Sequence, residues 1–370
     1  MPPRRFFFFG FQGVGNLGDE LMAQALISSL EERFGKCIFR LRSWTIAAHY
    51  PSVTYTGIEQ LLSGESNRLI KATRYLHALN KEVRACQVVI FPGGTIFLGT
   101  GENPWNLPFK FALSLLARVH RRPLIAVGVG VRDFSRWIDI WLMKRILNAC
   151  VFVSVRDNVS FRVCDGLGSR TDLTASPDIT FTLPVYADKS REASRNRVVL
   201  CLSAAQMSDL RQFQEHLNSA LTALRLEVSP GEHFSCLLFQ VTPDPACGPG
   251  DIAAYELVFG PDFKHTCEIM AQEDALRCIA SAKLVVGGRY HALVLAAMTG
   301  VPFVALGDSV KIRTIAQQSS MPFLAYREVS ASSLLEAAAD ARGRGIPSAA
   351  LRTLRADARR GLDQALERLS

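Results

Sequence analysis

Three segments of this chain combine residue types that can hold an anion or move a proton. Arg289-Tyr290-His291 follows Gly287-Gly288 and precedes an apolar stretch at 292–299. A guanidinium grips carboxylate or phosphate through two parallel bonds, and an imidazole exchanges protons near neutral pH. A helix-capping role is the plainer alternative for His291. In Arg156-Asp157-Asn158, Asp157 reads as a helix cap, whereas Arg156 opposes the helix dipole and is better explained by a bound anion. The third segment is Gly13-Val-Gly15-Asn16-Leu-Gly18-Asp19-Glu20. Lys311 lies beyond Gly307-Asp-Ser-Val and can reach the pocket of His291, with a solvated lysine at a helix start as the alternative. Gly93-Gly94 lets backbone pass close to a ligand or to another loop, and the sequence does not choose between them.

These segments fall where parallel sheets place ligands. Short apolar strands alternate with helix-period segments throughout, which predicts parallel sheets wound with helices. Strands are expected at 5–11, 37–42, 87–91, 124–129 and 151–155, then at 198–203, 234–240, 284–287 and 303–306. Helices are expected between them at 19–34, 71–85, 108–121, 135–149 and 158–167, then at 207–226, 274–280, 292–299 and 312–318, with two more at the end. The polar stretch from Tyr186 to Asn196 reads as a linker. The expectation is an α/β chain of two doubly wound Rossmann-like domains, 1–185 and 186–370, with a cleft between them. Ligands bind beyond the carboxyl ends of such strands, and each segment named above sits at such an end.

Composition narrows the class. The chain has 370 residues, 48% hydrophobic and 21% charged, which is enough for a sizeable core and too apolar for disorder. No apolar run reaches the length of a membrane span; the longest candidate, 138–155, is broken by Asp139, Lys144 and Arg145. Met1-Pro-Pro-Arg-Arg and four Phe mimic a signal peptide but stop too soon. Nine scattered cysteines lack zinc or disulfide spacing and read as buried thiols of a reducing, cytoplasmic compartment. A net charge of +8 favours anionic partners. No Lys/Arg block carries interleaved aromatics, so no nucleic acid partner is expected. Gly13 to Gly18 fits a dinucleotide fingerprint literally, but Asp19 and Glu20 would repel a pyrophosphate, and no acid ends the second strand.

Taken in order, these segments resemble the polysaccharide pyruvyl transferase family. Its members carry a G-x-x-N-x-G-D-E segment, matched by Gly13 to Glu20, and a Gly-Gly loop after an apolar strand, matched by Gly93-Gly94. They also carry R-D, P-D and R-x-H-A elements, matched by Arg156-Asp157, Pro177-Asp178 and Arg289 to Ala292. The likeness runs from about residue 7 to 318. Tyr290 stands where Leu is commoner, and Gly307-Asp308 where Tyr-Asp usually precedes the lysine. The resemblance implies a fold like that of the GT-B glycosyltransferases and transfer of a pyruvyl group from phosphoenolpyruvate to two saccharide hydroxyls, giving a cyclic ketal in surface polysaccharide biosynthesis. Arg156, Arg289 and Lys311 would hold the donor, which carries two anionic groups. His291 would protonate the enol carbon. Asp19, with Asn16 and Glu20 beside it, would orient or deprotonate the acceptor, near Gly93 and Gly94. No metal and no cofactor besides the phosphoenolpyruvate co-substrate are implied.

A nucleotide-sugar glycosyltransferase of the same architecture is the nearest rival, because fold does not fix function. An NADP-dependent oxidoreductase and a non-catalytic scaffold are the others. The basic surface and Trp105, Trp137 and Trp141 would suit a lipid-linked acceptor and a peripheral contact at the inner membrane face, but aromatic core residues are the plainer reading. A homo-oligomer stays open.

Overall fold

A computed structural model of the chain describes residues 3–12, 15–41, 52–56, 58, 68–184, 195–240, 250–261, 263, 268–270 and 274–369. Gly13, Arg42 and residues 186–194 of the expected linker lie outside them.

The first sheet contains β1 (Arg4–Phe8), β2 (Cys37–Leu41), β3 (Val53–Tyr55), β4 (Val88–Phe97), β5 (Leu124–Val131), β6 (Phe152–Val155) and β7 (Leu173–Ala175). Their order is β3-β2-β1-β4-β5-β6-β7, every pairing is parallel, and the order reverses between β1 and β4. β5, Leu-Ile-Ala-Val-Gly-Val-Gly-Val, is buried at every position, as a strand covered on both faces must be. The connecting helices are α1 (Leu17–Phe34), α2 (Arg68–Ala85), α3 (Asn106–Val119), α4 (Trp137–Leu147) and α5 (Asn158–Gly166).

The second sheet has the order β10-β9-β8-β11-β12-β13, also wholly parallel. In chain order its elements are β8 (Arg197–Cys201), α6 (Met207–Gln212), α7 (Gln214–Leu226), β9 (His233–Leu237), α8 (Asp251–Phe259), β10 (Glu268–Met270) and α9 (Ala275–Ala280). Then come β11 (Ala282–Gly287), α10 (Tyr290–Thr299), β12 (Phe303–Leu306), α11 (Val310–Gln318), β13 (Phe323–Leu324), α12 (Ala331–Arg344) and α13 (Ser348–Glu367). The switch point falls between β8 and β11. α10 is apolar almost all round and buried along nearly its whole length, as a central helix must be. Gly300, left-handed at φ 68°, ends it.

The expected helix at 207–226 is two helices broken at Phe213, and α8 and the short edge strands β3, β7, β10 and β13 were not expected. Two or three residues are too few for alternation to show, and Asp-Ile-Ala-Ala-Tyr-Glu-Leu-Val-Phe in α8 reads equally well as a buried strand. The cysteines at 37, 86, 150, 164, 201, 236 and 278 are buried, as expected of small core hydrophobes. Burial pushes the Cys86 and Cys164 thiols up to about 12, far from a reactive thiolate. No helix of the described residues is long and apolar enough to cross a membrane.

The chain divides into two compact units, Met1–Leu183 with Arg355–Ser370, and Pro184–Leu354. The division falls after Leu183, and the end of the chain from Arg355 belongs to the first unit. The cause is the buried stripe Ala358, Leu362, Ala365, Leu366 and Leu369 at helical spacing. Arg4 Nη1 donates to the Leu369 carbonyl at 2.8 Å, and Arg359 Nη1 pairs with Glu32 at 2.8 Å. Gly361 allows the close approach, since a Cβ there would stand 2.4 Å from Ser176 Cβ. Gly361→Leu is therefore expected to lower stability by about 1–3 kcal/mol, read from the denaturant midpoint. An unchanged midpoint would show that this helix does not hold the first unit together.

Candidate active site

In the second unit the site grows from a backbone constraint. A Cβ at Gly287 would lie 2.1 Å from the Cys201 carbonyl oxygen, and one at Gly288 would lie 2.4 Å from Gln206 Oε1 and 2.9 Å from Tyr326 Oη. Only glycine fits at either position. The tight passage lets the Gly288 N–H donate to the Cys201 carbonyl at 2.9 Å and the Arg289 N–H to the same oxygen at 3.3 Å. Arg289 is thereby fixed at the β8/β11 switch point, where open parallel sheets take their ligands.

Its guanidinium is not empty-handed. Nε donates to Asp251 Oδ1 at 2.9 Å and Oδ2 at 3.0 Å, and Nη2 donates to Asp251 and, at 3.2 Å, to Gln240 Oε1. Asp251, at 0% exposure, opens α8. Its Oδ2 also accepts from the N–H groups of Phe239 (2.9 Å) and Gln240 (3.0 Å), and Oδ1 accepts from the Ala204 N–H at 3.3 Å. One carboxylate thus ties the segments after β8, β9 and β11. An anion meeting Arg289 meets the Nη1 edge of a cation whose charge Asp251 already offsets. Buried Gln240 Nε2, beside it, has no hydrogen-bond partner among the described residues. His291 follows half-buried, with the Tyr290 ring edge-on at 5.1 Å. Lys311, also half-buried, stands in the first turn of α11, which packs against α10.

In the first unit the expected residues gather at the carboxyl ends of β4 to β6. Asn16 caps α1, its Oδ1 accepting from the Gly18 N–H at 3.2 Å. Asp19 and Glu20 are both buried in the first turn, where their charge complements the dipole. Gly93 and Gly94 make room for that turn: a Cβ on Gly93 would meet Met22 Sδ at 2.3 Å, and one on Gly94 would meet Asp19 Oδ1 at 2.7 Å. Both have positive φ, 40° and 73°. Their close approach is thus to α1, and it sets the Asp19 carboxylate against β4. Next along β4, Thr95 Oγ1 accepts from Arg156 Nη2 at 2.7 Å. The Arg156 side chain, 4% exposed, folds back over Gly130, where a Cβ would lie 2.9 Å from its Nε. Asp157 is the helix cap expected of it, with Oδ1 accepting from the Ser160 N–H at 2.7 Å and Oδ2 from the Ser160 hydroxyl at 3.0 Å; Oδ2 stays 4.0 Å from Arg156 Nε. Asp178 caps a single 3-10 turn through the Thr180 N–H at 2.9 Å.

The fold therefore forms two groups, Asn16, Asp19, Glu20, Gly93, Gly94 and Arg156 in one unit, and Arg289, His291 and Lys311 in the other. Sequence reasoning missed Asp251, Gln240 and Gln206, which sit beyond strand ends with no motif around them. It also missed Lys110. That side chain is buried, bonded to Asn106 Oδ1 at 2.9 Å and enclosed by the rings of Phe9, Phe11 and Phe97 at 5.7–5.8 Å. The one available signal was a lysine on the apolar face of α3.

Both units are Rossmann-like, and the fold class is that of GT-B enzymes. UDP-GlcNAc 2-epimerase from Methanocaldococcus jannaschii superposes with a TM-score of 0.63 at 10% identity, over 98% of this chain and 99% of that one. Anabaena HepE in complex with UDP gives 0.57 at 13%, over 99% of each chain. UDP-GlcNAc 2-epimerase from Neisseria meningitidis, bound to UDP-GlcNAc, gives 0.58 at 10%, again over 99% of each. At such identities the likeness concerns fold alone. Among curated proteins none matches the sequence. The polysaccharide pyruvyl transferase family matches residues 16–309, and the chain belongs to that family.

Removing the Asp251 carboxylate strands a buried guanidinium and three N–H groups together. Asp251→Ala is expected to cost about 3–5 kcal/mol, and Asp251→Asn less, because it retains acceptor capacity. Urea unfolding of both variants reads this. A wild-type midpoint for Asp251→Ala would show that the pair does not organise the second unit.

Proposed function

We propose that the protein transfers a pyruvyl group from phosphoenolpyruvate to two hydroxyls of one saccharide, forming a cyclic ketal during surface polysaccharide assembly on the cytoplasmic side of the membrane. Family membership supports transferase chemistry. The observation that carries the donor assignment is Arg156, a buried guanidinium held across the carboxyl ends of a parallel sheet by Thr95 and the bare backbone of Gly130. Phosphoenolpyruvate brings a carboxylate and a phosphate, and a preorganised guanidinium meets either through paired bonds. In the second unit, Lys311 and the Nη1 edge of Arg289 are the cations that the family resemblance assigns to the same donor. The charge that Asp251 offsets makes Arg289 the weaker electrostatic partner and the better geometric guide.

The reaction needs one proton delivered to carbon and two removed from oxygen. The first acceptor oxygen bonds to C2 of the donor and loses its proton to a base, for which Asp19 is the candidate. Carbon C3 takes a proton from the His291 imidazolium, which the donor's anionic groups favour in its charged form. The second hydroxyl then bonds to C2, its proton leaves, and the C2–O bond to phosphate breaks with its electron pair on phosphate. Asn16, Glu20, Gly93 and Gly94 shape the acceptor side by fixing the first turn of α1.

The alternative, a nucleotide-sugar glycosyltransferase, draws on the UDP bound by a structural neighbour. Calorimetry separates the two. Phosphoenolpyruvate is expected to bind, with affinity about ten- to a hundredfold lower in Arg156→Ala, the loss of one charge-assisted contact. His291→Ala should keep the binding and lose about 10²–10⁴ in turnover. Heat with a UDP-sugar and none with phosphoenolpyruvate would overturn the donor.

A further inference from the structure

The tryptophans named in the sequence are not core residues. Trp137 is 76% exposed, Trp105 44% and Trp141 41%. On α4 the outward positions Trp137, Ile140, Trp141, Lys144 and Arg145 follow helical spacing, so the face that should be polar is apolar at its start and cationic at its end. The packed neighbour α3 presents Leu115 and Val119 outward, 47% and 73% exposed, and Phe111 joins the helices with its ring 5.4 Å from that of Trp141. Two packed helices thus each present apolar side chains outward, and the Phe111–Trp141 contact joins them. Monomeric proteins seldom leave such a surface bare without a use for it.

Its charge selects the occupant. Residues 104–148 carry eight Lys and Arg against two Asp and no Glu, a net +6 out of the chain's +8. Asp139 is buried, its Oδ1 accepting from the Thr100 N–H at 3.0 Å, so it does not face outward. Arg118, Arg121, Arg136, Lys144 and Arg145 are exposed, and the Arg145 guanidinium lies 5.4 Å from the centre of the Trp141 ring. A second copy of this face would set like charges against like. An anionic bilayer matches both halves of the pattern, because tryptophans settle at the headgroup level while Lys and Arg meet lipid phosphates. The N-terminal ends of α3 and α4 follow β4 and β5, so Trp105 and Trp137 lie on the side of the sheet where its strands end and Arg156 is held.

We infer that the α3/α4 face docks the protein on an anionic lipid surface, with the carboxyl edge of the first sheet beside the bilayer. The inference stands apart from the donor assignment, since adsorption needs no catalysis; together with that assignment it selects a lipid-carried acceptor.

Flotation of the full-length protein with vesicles of phosphatidylcholine, alone or mixed with phosphatidylglycerol, tests it. Binding is expected only to the anionic vesicles and should weaken with added salt. Trp137→Ser/Trp141→Ser and Lys144→Glu/Arg145→Glu should each reduce it by at least about tenfold while retaining calorimetric binding of phosphoenolpyruvate, if that is the donor, and the wild-type melting temperature. Should either variant fold poorly, quenching of wild-type tryptophan fluorescence by brominated anionic lipid gives the same answer. Absent binding, equal binding to neutral vesicles, or variants that lose a dimer while still floating with lipid would each overturn the inference.

Discussion

Asp251 is the group on which the second unit depends. A carboxylate with no solvent contact survives in a core only when its charge is met and its lone pairs are filled. Here one guanidinium and three backbone N–H groups do both. The same bonds tie Ala204 after β8 to Phe239 and Gln240 after β9, hold Arg289 at the switch point and aim α10, whose first turn carries His291. Arg289 is thus a positioning residue before it is a ligand contact, and its motif is as much architectural as chemical.

The first unit sets its charged groups against bare backbone. Its device is missing Cβ atoms. Gly93 and Gly94 let α1 press Asp19 onto β4, and Gly130 leaves the space Arg156 occupies. Each glycine replaces side-chain volume with a charged group held beside bare backbone, where the lower dielectric strengthens whatever that group meets. Both units place a charged group at a carboxyl edge.

Much of this was legible in residue order. The apolar runs of β4, β5, β11 and β12 are buried on both faces and could be little else, whereas the switch points come from the strand order that the fold shows. Asp19 was visible beside Gly18 after a strand, Arg156 because its charge opposes the dipole of the helix it precedes, and His291 because it stands two residues from an arginine at a strand end. Asp251 was invisible for the opposite reason. Its helix is short, its sequence fits a strand equally well, and its partner lies 38 positions away. The return of α13 to the first unit was also hidden, because an amphipathic helix shows that it packs but not against what. The tryptophans misled in a third way, since aromatic residues are usually core and only packing shows that these face outward.

Carbon protonation is the chemical core of the proposed reaction, and isotope labelling addresses it. The protein, phosphoenolpyruvate and a pool of free and lipid-linked saccharides are incubated in deuterium oxide, and the product is read by NMR. Release of inorganic phosphate and a ketal methyl group carrying a single deuteron are expected. An unlabelled methyl, a vinyl ether that keeps the enol carbon, or nucleotide diphosphate released from an added sugar nucleotide in place of phosphate would contradict the proposed reaction.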